Sequence, residues 1–251
     1  MQKLSEGAHS ITRMEGLTNM VAVLLVGGFG TRLRTVIDSK PKALASVGEQ
    51  PFLSLLLFQL RSQGIRHIVL CTGYLGGQIE EMYGDGANLG LQIIYSREES
   101  PLGTGGALKL AAPQLHGMQD FLVMNGDSFV EIDFPQLVQA HRQHNGIMTL
   151  AVTQVEDGRR YGSIQTDGSG RVTAFLEKSA SASHAMINAG VYLMNAGVLD
   201  IIPQGQSSLE KDVFPRLLAH GVYAEAQSGL FIDIGTPGDY MRAQALLQRF
   251  V

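Results

Sequence analysis

Cysteine is nearly missing: Cys71 is the only one in 251 residues, so no internal disulfide can staple the fold. It ends the apolar run Ile68-Val69-Leu70-Cys71 and reads as a residue of a buried strand in a reducing, cytoplasmic setting. No stretch reaches the ~18 uninterrupted apolar residues of a membrane-spanning helix. Residues 1–19 lack the apolar centre of a signal peptide and read as a flexible extension. Positive charge is not in excess either. The formal net charge is −4, which excludes the broad cationic footprint of a nucleic-acid binder or of a protein drawn to anionic membranes. Any cationic site must be local. Repeats and low-complexity linkers are absent, while 45% of the residues are apolar, ample for a buried core. Residues 20–251 read as one domain.

Two familiar phosphate loops are also absent. G-x-x-x-x-G-K-[ST] occurs nowhere, and after Gly28 and Gly30 the third glycine of G-x-G-x-x-G is replaced by Leu33. What is present is Gly27-Gly28-Phe29-Gly30-Thr31-Arg32-Leu33-Arg34, directly after the apolar run at 21–26. Glycines let backbone N–H groups approach anionic oxygens, Thr31 adds a hydroxyl donor, and an arginine fork matches phosphate geometry. The expected ligand is a nucleotide; the alternative is an ordinary glycine turn with solvated arginines.

Short apolar runs alternate with helical patterns at 21–26, 52–63, 67–72, 78–82, 91–95, 107–115 and 121–124. This is the βαβα rhythm of a mainly parallel sheet covered on both faces, an α/β fold whose ligands lie above the C-terminal strand ends. From Met148 the pattern turns strand-rich, with runs at 148–155, 162–166, 172–177 and 187–194 divided by turn clusters such as Asp167-Gly168-Ser169-Gly170. Helical stretches at 209–219 and 238–250 flank a run at 230–234. Asp127 follows Phe121-Leu122-Val123-Met124-Asn125-Gly126, and a carboxylate at the tip of a buried strand needs a charge partner. Mg²⁺ suits that place, since it takes one or two carboxylates plus phosphate oxygens and water. A second strand-end carboxylate, Asp233, stands in Phe231-Ile232-Asp233-Ile234-Gly235-Thr236-Pro237, where a turn or cap role is the alternative.

G-G-x-G-T-R-L-R followed by Pro41-Lys42, then Asn125-Gly126-Asp127, Glu177-Lys178, Asn188-Ala189-Gly190-Val191-Tyr192 and Asp233-Ile234-Gly235-Thr236-Pro237-Gly238-Asp239-Tyr240, resembles the sugar-1-phosphate nucleotidylyltransferases over about residues 22–248. Pro101-Leu102-Gly103-Thr104-Gly105-Gly106-Ala107, Arg160-Tyr161-Gly162-Ser163 and Ser208-Leu209-Glu210 look most like the D-glycero-α-D-manno-heptose 1-phosphate guanylyltransferases. Mannose-1-phosphate guanylyltransferases share much of the pattern. One departure is Ser46, where the family usually has proline, which loosens the expected geometry of that loop but leaves Lys42 in place.

The resemblance implies attack of a sugar-1-phosphate oxygen on the α-phosphorus of a nucleoside triphosphate. Arg32 would hold the departing pyrophosphate and Lys42 the α-phosphate. Mg²⁺ would sit on Asp127 and Asp233, and Gly27, Gly28, Gly30, Thr31, Gly103 and Thr104 would contact the nucleotide. Glu98 opens the base-recognition loop, whose glycines would admit a flat ring. A glutamate only accepts, which suits the paired donors of guanine, so GTP is the expected donor. Tyr161, Gly162, Glu177, Lys178 and Asn188 would take the sugar phosphate. Arg34 and Lys40 are left as solvated or auxiliary charges. Uridylyl or thymidylyl transfer and a nucleotide-sensing regulatory subunit remain the alternatives, the retained charged set arguing against the last. Acetyltransferase activity and trimerisation through a left-handed helix domain are not expected; self-association is left open.

Overall fold

The computed structural model describes residues 17–33, 36–37, 39–158, 161–176 and 183–250. Along the chain run β1 (Val21–Leu25), the hairpin β2 (Ser46–Val47) and β3 (Gln50–Pro51), α1 (Phe52–Ser62), β4 (His67–Thr72), α2 (Gly76–Tyr83), β5 (Gln92–Arg97) and α3 (Gly103–Leu110). They are followed by β6 (Asp120–Asn125), β7 (Ser128–Val130), α4 (Phe134–His144), β8 (Met148–Asp157), β9 (Ser163–Thr166), β10 (Val172–Leu176) and β11 (Ser183–Asn195). Last come α5 (Val198–Ile201), α6 (Phe214–Leu217), β12 (Val222–Gln227), β13 (Phe231–Asp233) and α7 (Pro237–Leu246).

Strands β6, β1, β4 and β5 lie side by side and parallel. Their alternate residues feed two cores. Ala22, Leu24, Ile68 and Leu70 pack on one face with α1, α4 and α7, while Val21, Val23, Val69 and Cys71 pack on the other with α3 and α6. Burial on both faces is why these strands read as unbroken apolar runs. The second half extends the same sheet: β11 pairs antiparallel with β6 and β8, and β12 lies parallel to β8. The result is the mixed, mainly parallel sheet flanked by helices that the alternating pattern implies. Leu17 is 1% exposed and packs in the first core, three residues ahead of the Met20 boundary read from the sequence.

The long strand β11 creates the functional opening. Its C-terminal part, Val191–Asn195, bonds β6, whereas Ile187 meets Ser163 of β9. Between these partners lie Asn188 and Gly190, where the register against β8 also shifts. The fork faces the end of β6, so the strand-rich half is joined to the parallel half at the tip that carries Asp127.

Several elements depart from the periodicity reading. Helix α4 was not among the expected segments, although Asp133 caps it by accepting from the Gln136 N–H at 2.8 Å and Pro135 occupies its first turn. Strand β12 was also missed. The helix expected over 209–219 is broken into a π turn (Leu209–Val213), α6 and a 3-10 turn (Leu218–His220). Pro215, lacking an N–H, cannot continue the upstream ladder. The stretch 107–115 likewise splits: α3 begins earlier, at Gly103, and a 3-10 turn containing Pro113 follows.

Beneath the sheet, His141 is 4% exposed, with Nδ1 at 2.9 Å from Thr149 Oγ1 and Nε2 at 3.5 Å from Asp120 Oδ1. Burial lowers its pKa below the ordinary value, and the Asp120 charge opposes that only in part. A base whose pKa is depressed on folding is held neutral, so its stabilising contribution is present above the unfolded value and lost as pH falls. Melting temperature should therefore fall more steeply from pH 7 to 5.5 in the wild type than in His141→Gln, measured by calorimetry at matched ionic strength; parallel curves would refute this.

Candidate active site

Three loops leaving β1, β5 and β6 converge because each continues the ladder with its neighbour past the strand end. Val26 N–H donates to Cys71 O at 3.0 Å, Gly126 N–H to Leu25 O at 3.0 Å, and Glu98 N–H to Thr72 O at 2.9 Å. Together they wall a cavity of about 380 Å³ lined by Gly27, Gly28, Phe29, Lys42, Glu98 and Asp127, among others. Gly28 faces open space. Gly30, at φ +57°, lets the loop turn over Lys42, whose Cβ would lie 3.0 Å from any added methyl. Thr31 is exposed on that turn, and Leu33 is fully buried, which anchors the loop where a dinucleotide motif would have its third glycine.

Glu98 stands at one end of this cavity. Its Oε2 accepts from the Leu102 N–H at 3.0 Å, and its Oε1 lies 2.6 Å from where a Cβ on Gly73 would be. Burial raises the carboxyl pKa, and the Leu102 N–H partly offsets that. Cys71, in the same wall, has its thiol pushed up to about 12 by burial and by the Glu98 charge, so it is inert.

At the other end lies the charged junction. Lys42 Nζ donates to Asp127 Oδ2 at 2.7 Å, with the lysine side chain 14% exposed. The 3-10 turn Lys42–Leu44 fixes this lysine by burying Ala43 and Leu44. Asp233 arrives through tertiary pairing: β13 runs antiparallel to β7, with Asp233 opposite Ser128 and Ile234 N–H donating to Asp127 O at 2.9 Å. Burial and the Asp127 charge push the Asp233 carboxyl up, while Lys42 and the Gly235 N–H pull it down. Two carboxylates therefore share one ammonium. That excess negative charge fits a divalent cation bound by two carboxylates and completed by phosphate and water. No cluster of three or more such ligands exists among the described residues.

Lys42, Asn125, Asp127 and Glu210 also line a second, larger cavity of about 790 Å³. It contains Arg32, Tyr161, Gly162, Asn188, Asp233 and the apolar wall Ile164, Phe175 and Phe214. Tyr161 packs edge-on against Phe231 with centroids 5.7 Å apart. The Asn188 amide is already committed on both sides: its Oδ1 accepts from Gly190 N–H at 2.9 Å and its Nδ2 donates to Tyr192 Oη at 2.7 Å. One N–H and one lone pair remain. Tyr192 is fully buried and also bonds the Asn125 side chain, and burial drives its phenol well above the ordinary value. Arg34, Glu177 and Lys178 lie outside the described residues; the last two follow Leu176, which borders this cavity. Lys40 lines a separate groove with Ser46 and Glu81. The Ser46 carbonyl is held by Tyr240 Oη at 2.6 Å and Gln244 Nε2 at 2.7 Å, so α7 fixes the hairpin despite the missing proline.

Gly103 and Thr104 line the smaller cavity, and the glycines at 103, 105 and 106 also let α3 press closely on another segment. A Cβ would lie 2.5 Å from Ser207 O at Gly103, 2.6 Å from Ser207 Oγ at Gly105 and 2.4 Å from Gly205 O at Gly106. Gly105 N–H donates to Ser207 O at 2.8 Å, and Ser207 N–H to Leu102 O at 2.8 Å. Thr104 is likewise turned to this segment, donating to Glu210 Oε2 at 3.1 Å and accepting from Leu209 N–H at 2.8 Å. Asn125, Gln206, Glu210 and Lys211 are lining residues that sequence reasoning did not single out. Only tertiary proximity reveals them, although Asn125 stands in the Asn-Gly-Asp string and Glu210 in Ser-Leu-Glu.

Residues 21–249 match the family described as nucleotidyl transferase. The mannose-1-phosphate guanylyltransferase of Mycobacterium tuberculosis is 43% identical over 232 residues, covering 91% of this chain and 64% of the relative. The D-glycero-α-D-manno-heptose 1-phosphate guanylyltransferase of Aneurinibacillus thermoaerophilus is 36% identical over 234 residues, covering 92% of this chain and 100% of the relative. The chain thus spans less than two thirds of the mannose-type relative's length and all of the heptose-type one. The crystal structure of HddC from Yersinia pseudotuberculosis complexed with GMP-PN superposes with a TM-score of 0.80 at 30% identity, covering 90% of this chain and 98% of that one.

The Glu98 pocket yields a local test. Gly73→Ala should expel the Glu98 carboxylate and strip the Leu102 N–H of its acceptor. Amide hydrogen exchange at Leu102 is expected to accelerate by about tenfold or more; an unaltered Leu102 rate would contradict the geometry.

Proposed function

The chain belongs to the nucleotidyl transferase family, and we propose that it transfers a guanylyl group from GTP to D-glycero-α-D-manno-heptose 1-phosphate, giving GDP-heptose and pyrophosphate. The observation that carries this reading is the position of the Lys42–Asp127 pair, bonded at 2.7 Å where the two cavities meet. A nucleotide in the smaller cavity and a sugar phosphate in the larger would bring their phosphates together there. A heptose-type relative 36% identical over 234 residues supports the sugar. A second reading, mannose 1-phosphate, is favoured by the 43% identity to a mannose-type relative.

In this reading the nucleophile, a phosphate oxygen, is already ionised, so no general base is required. Its bond to the α-phosphorus forms as the bond to the bridging oxygen breaks, and pyrophosphate leaves with the electron pair. The protein contributes positioning and charge. Lys42 neutralises the α-phosphate and Arg32 the leaving pyrophosphate. Asp127 and Asp233 would hold Mg²⁺, which when bound supplies positive charge to the phosphates. The free Glu98 oxygen accepts from guanine, as a carboxylate matches the adjacent ring N–H and exocyclic amine. Tyr161, Gly162 and Asn188 border the sugar, with Glu177 assigned to its hydroxyls and Lys178 to its phosphate. The product suits bacterial surface-polysaccharide synthesis in the cytoplasm; among the described residues no helix is long and apolar enough to cross a membrane.

Pyrophosphate release with Mg²⁺, crossing GTP, ATP, UTP, CTP and dTTP against the heptose, mannose and glucose 1-phosphates, tests the proposal. Turnover confined to GTP with the heptose or with mannose separates the two readings, and no turnover with any pair refutes both. Lys42→Met should lower kcat by about 10²–10³-fold without loss of fold by circular dichroism. KM for GTP should climb on acidification in the wild type, because a protonated Glu98 no longer accepts from both donors. Glu98→Gln should flatten that profile and reduce the preference for GTP; an unchanged profile and unchanged preference would remove Glu98 from base recognition.

A further inference from the structure

The π turn Leu209–Val213 carries a carboxylate that the reaction as described leaves unused. Glu210 lines both cavities. Its Oε2 accepts from Thr104 Oγ1 at 3.1 Å and from Ser208 Oγ at 2.9 Å. The direction of these bonds is fixed, because each hydroxyl already receives a backbone N–H, Leu209 to Thr104 at 2.8 Å and Lys211 to Ser208 at 3.2 Å. Each hydroxyl proton is therefore left for Glu210. Oε2 is satisfied, while Oε1 has no hydrogen-bond partner among the described residues.

What would such an oxygen bind? It only accepts, so a phosphate, which is all acceptor and anionic, is excluded. Glu210 does not group with Asp127 and Asp233 as a third carboxylate ligand, so it stands apart from the Mg²⁺ site of this reading. A neutral donor remains, and with the guanine N–H groups assigned to Glu98 that donor is a hydroxyl. The nucleoside ribose and the sugar of the second substrate both carry hydroxyls, and the surroundings favour the sugar. Lys211, Phe214 and Pro215, which follow Glu210, line only the larger cavity. The Glu210 charge also acts on Tyr192, the residue that accepts from Asn188 at 2.7 Å on the sugar side. A π turn supports this use, since the extra residue in the turn re-aims a side chain and such turns recur at functional sites.

We propose that Glu210 is a further sugar-binding residue, whose free carboxylate oxygen accepts from a hydroxyl of the sugar 1-phosphate, and that Thr104 and Ser208 are positioning residues that aim it. The proposal rests on the sugar-phosphate reading above. It also gives Thr104 a second role: the residue lines the smaller cavity, while its hydroxyl aims Glu210.

Steady-state kinetics of the full chain with GTP and 2′-deoxy-GTP, and with mannose and heptose 1-phosphates, test it. In parallel, calorimetric titration measures binding of mannose 1-phosphate to protein loaded with Mg²⁺ and α,β-methylene GTP. Glu210→Gln should raise KM and Kd for the sugar phosphate by about tenfold while leaving KM for GTP within about twofold and the ratio between GTP and 2′-deoxy-GTP unchanged. Thr104→Val, which keeps the shape but removes the donor, should shift the same sugar constants by about threefold, a split that mere loosening of the nucleotide loop would not produce. Unchanged sugar constants, or a loss appearing instead in KM for GTP and in ribose discrimination, would overturn the assignment. If the wild type turns nothing over, the function proposed above fails by itself, and the titration still decides whether Glu210 holds the sugar.

Discussion

Two carboxylates and one ammonium held at the meeting point of two cavities are the constraint on which the rest of the molecule depends. Asp127 and Asp233 come from strand ends more than a hundred residues apart, yet the pairing of β7 with β13 fixes them as neighbours. Lys42 reaches the pair from a 3-10 turn anchored by buried alanine and leucine. Bringing like charges together in a half-buried place costs free energy, and burial together with Asp127 accordingly pushes the Asp233 carboxyl up. An arrangement that one lysine leaves under-neutralised is suited to a cation and polyanionic ligands.

Around that centre the architecture divides the labour by strand direction. The parallel half ends its strands together, so the glycine loop, Glu98 and the Asn125-Gly126-Asp127 tip surround one cavity. The antiparallel half opens the sheet between β6 and β9 along β11, and the gap becomes the second cavity. The segment from Gly205 to Lys211 ties the two together. It packs on the bare glycines of α3, bonds Thr104, and carries Glu210 across both openings. One wall thus borders both cavities, a geometry in which a change made at one is felt at the other.

Much of this was legible in one dimension. The runs at 21–26, 67–72 and 121–124 are strands buried on both faces, and a residue pattern of that kind has few other uses. Helix α4 was legible in principle, through its Asp133 cap and Pro135, but its period is carried by only a few apolar positions. The break at Pro215 was marked by the residue that causes it. The glycines of α3 were visible as glycines, but one of their purposes was not: a missing side chain says that something comes close, and only the fold says that Ser207 does.

The sequence by itself determined the parallel sheet, the glycine loop at the end of its strand β1 and the chemical types gathered there, because periodicity, glycine and charge act locally. Tertiary structure decided which carboxylates meet, that Asn188 has half its amide already engaged, and that Thr104 turns to Glu210. Those outcomes depend on strand register and on contacts between segments up to about a hundred residues apart. Such contacts leave no local periodicity, because each partner is shaped by a neighbour that only the folded chain supplies.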